Sequence, residues 1–177
     1  MAGFQKGQEL VLRVDRLSYG GRGVARADGY VVFVPYTAPG DVVRARLVRA
    51  KRSFGEAELV EVVEPSADRV VPPCPYFGRC GGCTWQHLRY EAQLAAKEQI
   101  VRESLERLGG LRGIPVRPIL PAPRPLGYRN KMEFAFHPEA TLGLHVPGHF
   151  DRVVEIDECL LPSTLALSLI HISEPTR

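Results

Sequence analysis

Val24-Ala25-Arg26-Ala27-Asp28-Gly29-Tyr30-Val31-Val32-Phe33-Val34 decides the fold class of this chain. Two runs rich in β-branched residues flank an Asp-Gly pair, the dipeptide that best tolerates the two positive φ values of a two-residue hairpin. Outward from that hairpin the same signals repeat. Glu9–Val14 reads as a strand before it, and the glycine-rich Tyr19-Gly20-Gly21-Arg22-Gly23 reads as the intervening turn. After it, Pro39-Gly40-Asp41 turns the chain into a strand over Val42–Val48. Lys51-Arg52-Ser53-Phe54-Gly55 turns it again into a strand over Ala57–Val63. Five short strands in so few residues predict a small closed barrel of the OB type, with an SH3-like barrel or an open meander as the alternatives.

Beyond the barrel, Glu64-Pro65-Ser66 and Val71-Pro72-Pro73 mark a linker. A helix is expected from Leu88 to Leu108, with Leu94, Val101, Leu105 and Leu108 as its apolar stripe, joined by Ala95 and Ile100. Gly109-Gly110 ends it. After a proline-rich stretch, strands are expected over 129–137, 141–146 and 152–156. The fold class is therefore mainly β with one long helix: an OB-like five-stranded barrel, then a small α+β domain.

The composition is that of a globular chain, 45% hydrophobic and 24% charged. Net charge is only +3, but residues 1–126 carry nineteen Lys or Arg against thirteen Asp or Glu, whereas 127–166 carry three against six. A local basic surface is compatible with that distribution. The N-terminal residues have no apolar core of a signal peptide, and no stretch approaches the ~20 apolar residues of a membrane span. The expectation is a cytoplasmic monomer with no membrane partner.

In a reducing compartment, cysteines at close spacing suggest a metal before they suggest disulfides. Cys74, Cys80 and Cys83 fall within ten residues beside Gly78, Gly81 and Gly82, and Cys159 follows far along the chain. Thiolates are soft ligands that suit zinc or iron–sulfur clusters. Spacing alone leaves buried thiols, a four-thiolate zinc site and an iron–sulfur cluster open. The presence of one C-x2-C knuckle rather than two mildly favours the cluster.

The segment Cys74-Pro75-Tyr76-Phe77-Gly78-Arg79-Cys80-Gly81-Gly82-Cys83-Thr84-Trp85-Gln86-His87-Leu88 resembles the cluster motif of the bacterial RNA uracil-C5 methyltransferases. Tyr90–Leu94, Tyr128–Phe134, Leu142–His145 and Val154–Cys159 are similar to that family as well, and residues 7–64 resemble its TRAM domain, an RNA-binding barrel. The resemblance implies that Cys74, Cys80, Cys83 and Cys159 ligate one [4Fe–4S] cluster. It implies RNA as partner, ribosomal 23S RNA before transfer RNA.

It also implies a reaction in which a cysteine thiolate adds to C6 of uracil, C5 takes the methyl group of S-adenosylmethionine, and a base removes the C5 proton. In the family a further Rossmann-like domain holds the S-adenosylmethionine and the nucleophile. With all four cysteines assigned to the cluster and no dinucleotide-type glycine fingerprint before a helix, no catalytic or S-adenosylmethionine-binding residue is assigned here.

The expected organisation is a TRAM barrel over 1–65, a truncated cluster-binding domain over 66–166, and an artefact over 167–177. The last stretch, LSLIHISEPTR, resembles a translated transposase adapter from sequencing libraries. Candidate RNA contacts are Tyr19, Arg22, Arg49, Lys51, Arg52, Arg129 and Lys131; Arg49, Lys51 and Arg52 belong to a basic run that also holds Arg44 and Arg46. Tyr30, Phe33 and Phe54 are candidate stacking surfaces, with core packing as their ordinary role. Arg129 and Lys131 are expected on one face of a strand, with Met132, Phe134 and Phe136 on the other. A stand-alone RNA-binding protein and a zinc-stabilised interaction module are the alternative functions.

Overall fold

The computed structural model describes residues 3–136, 142–163 and 165. Two compact units interleave along the chain: Met1–Val71 with His87–Leu120, and Pro72–Gln86 with Pro121–Arg177. The helix thus shares a unit with the barrel, and the cysteine loop is an excursion from that unit. The 167–177 stretch lies outside the described residues.

In the first unit, β1 (Glu9–Leu17), β2 (Gly23–Ala27), β3 (Tyr30–Val34), β4 (Val42–Ala50) and β5 (Phe54–Glu64) close into a barrel in the order β1-β2-β3-β5-β4. All pairs are antiparallel except β3 with β5. This is the OB-type barrel expected, reached with longer strands than the turn signals marked. Asp28 and Gly29 both have positive φ, 48° and 84°, as the hairpin turn requires. Alternate side chains point inward, so Leu12, Val14, Val32, Val34, Val43, Ala45 and Leu47 form the core. β1 serves both neighbours: Glu9–Arg13 pairs with β4, and a bulge between Val14 and Arg16 passes it to β2. At Gly23 a Cβ would lie 2.0 Å from Thr37 Oγ1, so only glycine lets β2 start there.

The barrel is tied to the chain that follows it through Asp41. Its buried carboxylate accepts hydrogen bonds from the amides of Ala38 (2.6 Å) and Ser66 (2.8 Å) and from the guanidinium of Arg69. Residues 68–70 then run beside 87–89. The Val70 amide donates to His87 O at 2.9 Å, and the Arg89 amide donates to Asp68 O at 3.0 Å.

The helix is α1 (Tyr90–Glu103), continued by a π turn over Ser104–Leu108. Its inner face follows the expected stripe in part, with Leu94, Ile100 and Leu105 half-buried. Ala96 is buried, with Ala92, Ile100 and Glu103 half-buried, while Ala95, Val101 (48% exposed) and Leu108 (86% exposed) face outward. Two causes are visible. An ion pair of 3.1 Å between Arg16 and Glu103 holds the Glu103 side of the helix to β1. The π turn, closed by the Gly109 amide on Ser104 O, adds a residue to the last turn and rotates Leu108 away. Gly110 is left-handed (φ 65°) and stops the helix, as its position suggests.

In the second unit, β6 (Ala135–Phe136), β7 (Leu142–His145) and β8 (Val153–Glu155) form an antiparallel sheet in that order. The strand expected over 129–137 is reduced to two residues. The Gly127 and Arg129 amides donate to the carbonyls of Leu160 and Leu161 (both 2.9 Å), so this stretch runs beside the residues after Cys159 and does not enter the sheet. Met132 and Phe134 nonetheless pack on the core of Cys80, Leu144, Val154 and Ile156, as their alternation suggests. His137 and Thr141 lie outside the described residues, and nothing is assigned to the Phe136 side chain. Among the described residues no helix is long and apolar enough to cross a membrane.

Candidate metal centre and nucleic-acid interface

All four cysteines belong to the second unit and none is in a disulfide. Two contacts bring the separate segments together. The Gly81 amide donates to His145 O at 2.9 Å and docks the loop on the end of β7. There a Cβ would lie 3.0 Å from His145 O, which explains a glycine. Tyr76 Oη donates to Asp157 Oδ2 at 3.0 Å, two residues before Cys159. Cys80 Sγ accepts the Gly82 amide (3.3 Å), and Cys83 Sγ accepts Gln86 Nε2 (3.0 Å). Gln86 Oε1 in turn accepts the Cys74 amide at 3.2 Å, so one side chain holds both ends of the loop.

Burial pushes the thiols of Cys80, Cys83 and Cys159 up. The neighbouring thiols add to it: Cys74 acts on Cys80, the other three act on Cys83, and Cys74 and Cys80 act on Cys159. Four thiols therefore lie within electrostatic reach of one another, and burial favours the protonated form of Cys80, Cys83 and Cys159 until a cation displaces the proton. Among the described residues no three His, Cys, Asp or Glu are grouped closely enough to hold a metal ion. A tetrahedral zinc would need sulfurs about 3.8 Å apart.

The other candidates fall on the barrel and beside the cysteine loop. The guanidinium carbon of Arg22 stands 5.1 Å over the Phe33 ring, and Lys51 Nζ stands 5.2 Å over Phe54. The two rings meet edge to face at 5.8 Å. Two aromatic faces with a cation over each are compatible with stacked bases and phosphates. Tyr30 is not part of that surface: it stacks on Phe4 at 4.4 Å and its hydroxyl donates to Lys51 O, so it packs on the core.

The basic run of β4 is a ladder of ion pairs. Arg44 pairs with Glu61, and Arg46 with Glu9 and Glu58. Arg49 and Arg22 share Glu56, at 3.9 and 3.2 Å. Lys51 and Arg52 make no ion pair among the described residues and are the cations of the run left for a ligand. Glu56, Glu58 and Glu61 stand in the sequence as a sign of this pairing, since strands of opposite charge pattern neutralise each other across a ladder.

Arg129 and Lys131 line a cavity of about 500 Å³ with Gly81, Gly82, His145 and Pro147. Arg129 donates toward Met132 Sδ at 3.7 Å, and Lys131 pairs with Glu133 at 3.1 Å. Sequence reasoning had no sign of the buried Asp41–Arg69 pair beyond the turn at Pro39-Gly40-Asp41. His87 is buried in the barrel's unit and its pKa is lowered, chiefly by burial, so it is neutral at pH 7.

The closed order of strands, with the β3–β5 parallel pair, is that of an OB-type barrel. The family model of the TRAM domain matches residues 3–60. The chain carries a TRAM domain. Over nearly its whole length it is also homologous to RNA methyltransferases. An uncharacterised RNA methyltransferase of Nitratidesulfovibrio vulgaris is 43% identical over 175 residues, covering 96% of this chain and 37% of the relative. One of Thermosynechococcus vestitus is 42% identical over 162 residues, covering 90% and 36%. The chain thus spans a little over a third of the relatives it matches.

Among solved structures it is similar to the Pyrococcus abyssi tRNA (uracil-54, C5)-methyltransferase, crystallised with S-adenosyl-L-homocysteine. That match has 27% identity and a TM-score of 0.55, covering 91% of this chain and 35% of that one. The TRAM barrel is thus followed, in the same chain, by the converging thiols and the small sheet.

Proposed function

We propose that this chain is the RNA-recognition and iron–sulfur part of a longer S-adenosylmethionine-dependent RNA uracil-C5 methyltransferase. The observation that carries the reading is the combination, in one methyltransferase homologue, of a TRAM barrel with four converging thiols. The TRAM barrel over 1–65 binds single-stranded RNA through Arg22, Lys51 and Arg52, with bases on Phe33 and Phe54 and with Tyr19 and Arg49 at its margin. Arg129 and Lys131 hold RNA phosphates at the cavity beside the cysteine loop. Ribosomal 23S RNA is the proposed substrate, on the family resemblance; the Pyrococcus abyssi neighbour is named for tRNA.

Within the cluster-binding part, over 66–166, Cys74, Cys80, Cys83 and Cys159 are the proposed ligands of a [4Fe–4S] cluster. The donor set fits it: four soft thiols within electrostatic reach of one another, two of them already accepting N–H hydrogen bonds. The cluster supplies a covalent tie, because four thiolates leave no open iron for chemistry. It stitches Cys159 to the loop of Cys74–Cys83 and so fixes Arg129, whose amide is bonded just beyond Cys159 at Leu161.

The test is anaerobic purification with metal and sulfide analysis, followed by RNA binding. About four irons and four sulfides per chain support the reading. One zinc and no sulfide overturn the cluster. Competition between 23S fragments and tRNA settles the substrate, and tighter binding of tRNA overturns the ribosomal assignment.

A further inference from the structure

The turn between β1 and β2 faces two ways. The Ser18 amide donates to Arg22 O at 2.8 Å and the Gly21 amide to Ser18 O at 2.9 Å, which closes a tight loop with left-handed Gly20 and Gly21. From that loop Arg22 reaches back over Phe33, on the aromatic face. Tyr19 instead lines a cleft between the end of β1 and the last turns of the helix, with Arg16, Ile100, Glu103, Arg107 and Leu108.

The lips of the cleft are apolar and uncovered: Tyr19 is 87% exposed and Leu108 is 86% exposed. Its rim is positive. Glu103 Oε2 accepts Arg16 at 3.1 Å and stands 3.9 Å from Arg107, so one carboxylate serves two guanidiniums and one positive charge is left over. Its volume is about 180 Å³, below the ~300–1,000 Å³ of pockets that enclose a whole small molecule. An exposed tyrosine opposite a leucine, with surplus positive charge at the rim, matches one unpaired base with its phosphate.

We propose that this cleft is a second nucleotide subsite, which takes one base of a single-stranded RNA as the strand leaves the Phe33–Phe54 face. The base stacks on Tyr19 against Leu108, and the phosphate meets Arg107. The Ser18–Arg22 loop carries a residue of each surface, Arg22 over Phe33 and Tyr19 in the cleft. The inference rests on the proposal that the barrel binds RNA, and the experiment separates the two.

Binding of the whole chain to single-stranded RNA is measured with oligonucleotides of about 4 and about 12 nucleotides, lengths that span the usual sites of such barrels. Phe54→Ala weakens both. Tyr19→Ala weakens the longer by about tenfold and the shorter by much less, as loss of one stacked base beyond the aromatic face requires. Tyr19→Phe binds as the unmodified chain does. Arg107→Glu weakens the longer and lowers the slope of log affinity against log salt by about one phosphate contact.

Unchanged binding of the longer RNA by Tyr19→Ala and Arg107→Glu, with Phe54→Ala weakened, overturns the cleft and leaves the RNA-binding barrel standing. No RNA binding by the unmodified chain removes both. A dimer that Leu108→Glu dissociates assigns the cleft to a second copy and overturns the proposal.

Discussion

Asp41 is fully buried and its carboxylate is held by the guanidinium of Arg69, two residues before the chain departs into the cysteine loop. Burial alone would raise the Asp41 pKa. The bonds from Arg69, Ala38 and Ser66 outweigh it and hold the carboxyl below its ordinary value. The pair therefore does two jobs: it satisfies the turn before β4 and it anchors the base of the excursion that carries Cys74, Cys80 and Cys83.

Arg69→Met leaves that carboxylate buried without its cation. The expected cost is about 3 kcal/mol of folding stability, read as a lower urea midpoint. Because the folded pKa is depressed, the stability Asp41 contributes is present above the unfolded value of about 3.9 and is lost as pH falls through the folded value. Wild type and Arg69→Met should therefore differ fully at pH 7 and converge in strong acid. A difference that persists at the lowest pH would contradict the assignment.

His87 acts in a different window. Its folded pKa is lowered, chiefly by burial, with a partial offset from the Thr37 backbone. The unfolded chain then binds a proton that the folded one refuses, so stability falls as pH drops below about 6.5. His87→Gln should show a flatter stability profile between about pH 5 and 7, measured by thermal melts. An identical profile in the variant would place the acid sensitivity elsewhere.

Cys159→Ser removes the ligand that closes the proposed cluster. Anaerobically prepared protein should lose most of its acid-labile sulfide and its visible absorption, while the TRAM barrel, which shares no core with Cys159, keeps its melting transition. Gln86→Leu is subtler. It deletes the N–H donor at 3.0 Å on Cys83 Sγ, so the cluster should still assemble but with a more negative reduction potential. An unshifted potential would show that this bond does not reach the iron.

Lys51→Glu with Arg52→Glu should weaken binding to single-stranded RNA and flatten its salt dependence by about two phosphate contacts. Arg46→Glu offers a contrast. Arg46 is already engaged by Glu9 and Glu58, and its replacement should change RNA affinity less than the Lys51–Arg52 pair does. Filter binding over a salt series measures both, and the opposite ranking would move the interface from the end of β4 to its middle.

The barrel was legible in the sequence because its signals are local. Asp28-Gly29 needs no tertiary partner to be a hairpin turn, and the alternation of Leu12, Val14, Val43, Ala45 and Leu47 follows from the period of a strand. That Cys159 meets the loop of Cys74, Cys80 and Cys83 was not legible in the same way, since spacing alone does not bring it there and the Tyr76–Asp157 contact does. The ends of elements were less so. Residues 129–134 alternate like a strand, yet the Arg129 amide at their head bonds to Leu161 O, a choice made by the return of the chain after Cys159.

What the sequence by itself determined is the five-strand class and the turn chemistry, both set by local sterics and side-chain type. Only the tertiary structure decided which charges are spent and which are left. Arg44, Arg46 and Arg49 look like a basic patch in one dimension, and β5 brings Glu61, Glu58 and Glu56 opposite them. It also decided that Leu108 faces outward beside Tyr19 and that Asp41 meets Arg69. Those pairings join residues far apart in the chain, and cross-strand register and burial, which no local pattern encodes, select them.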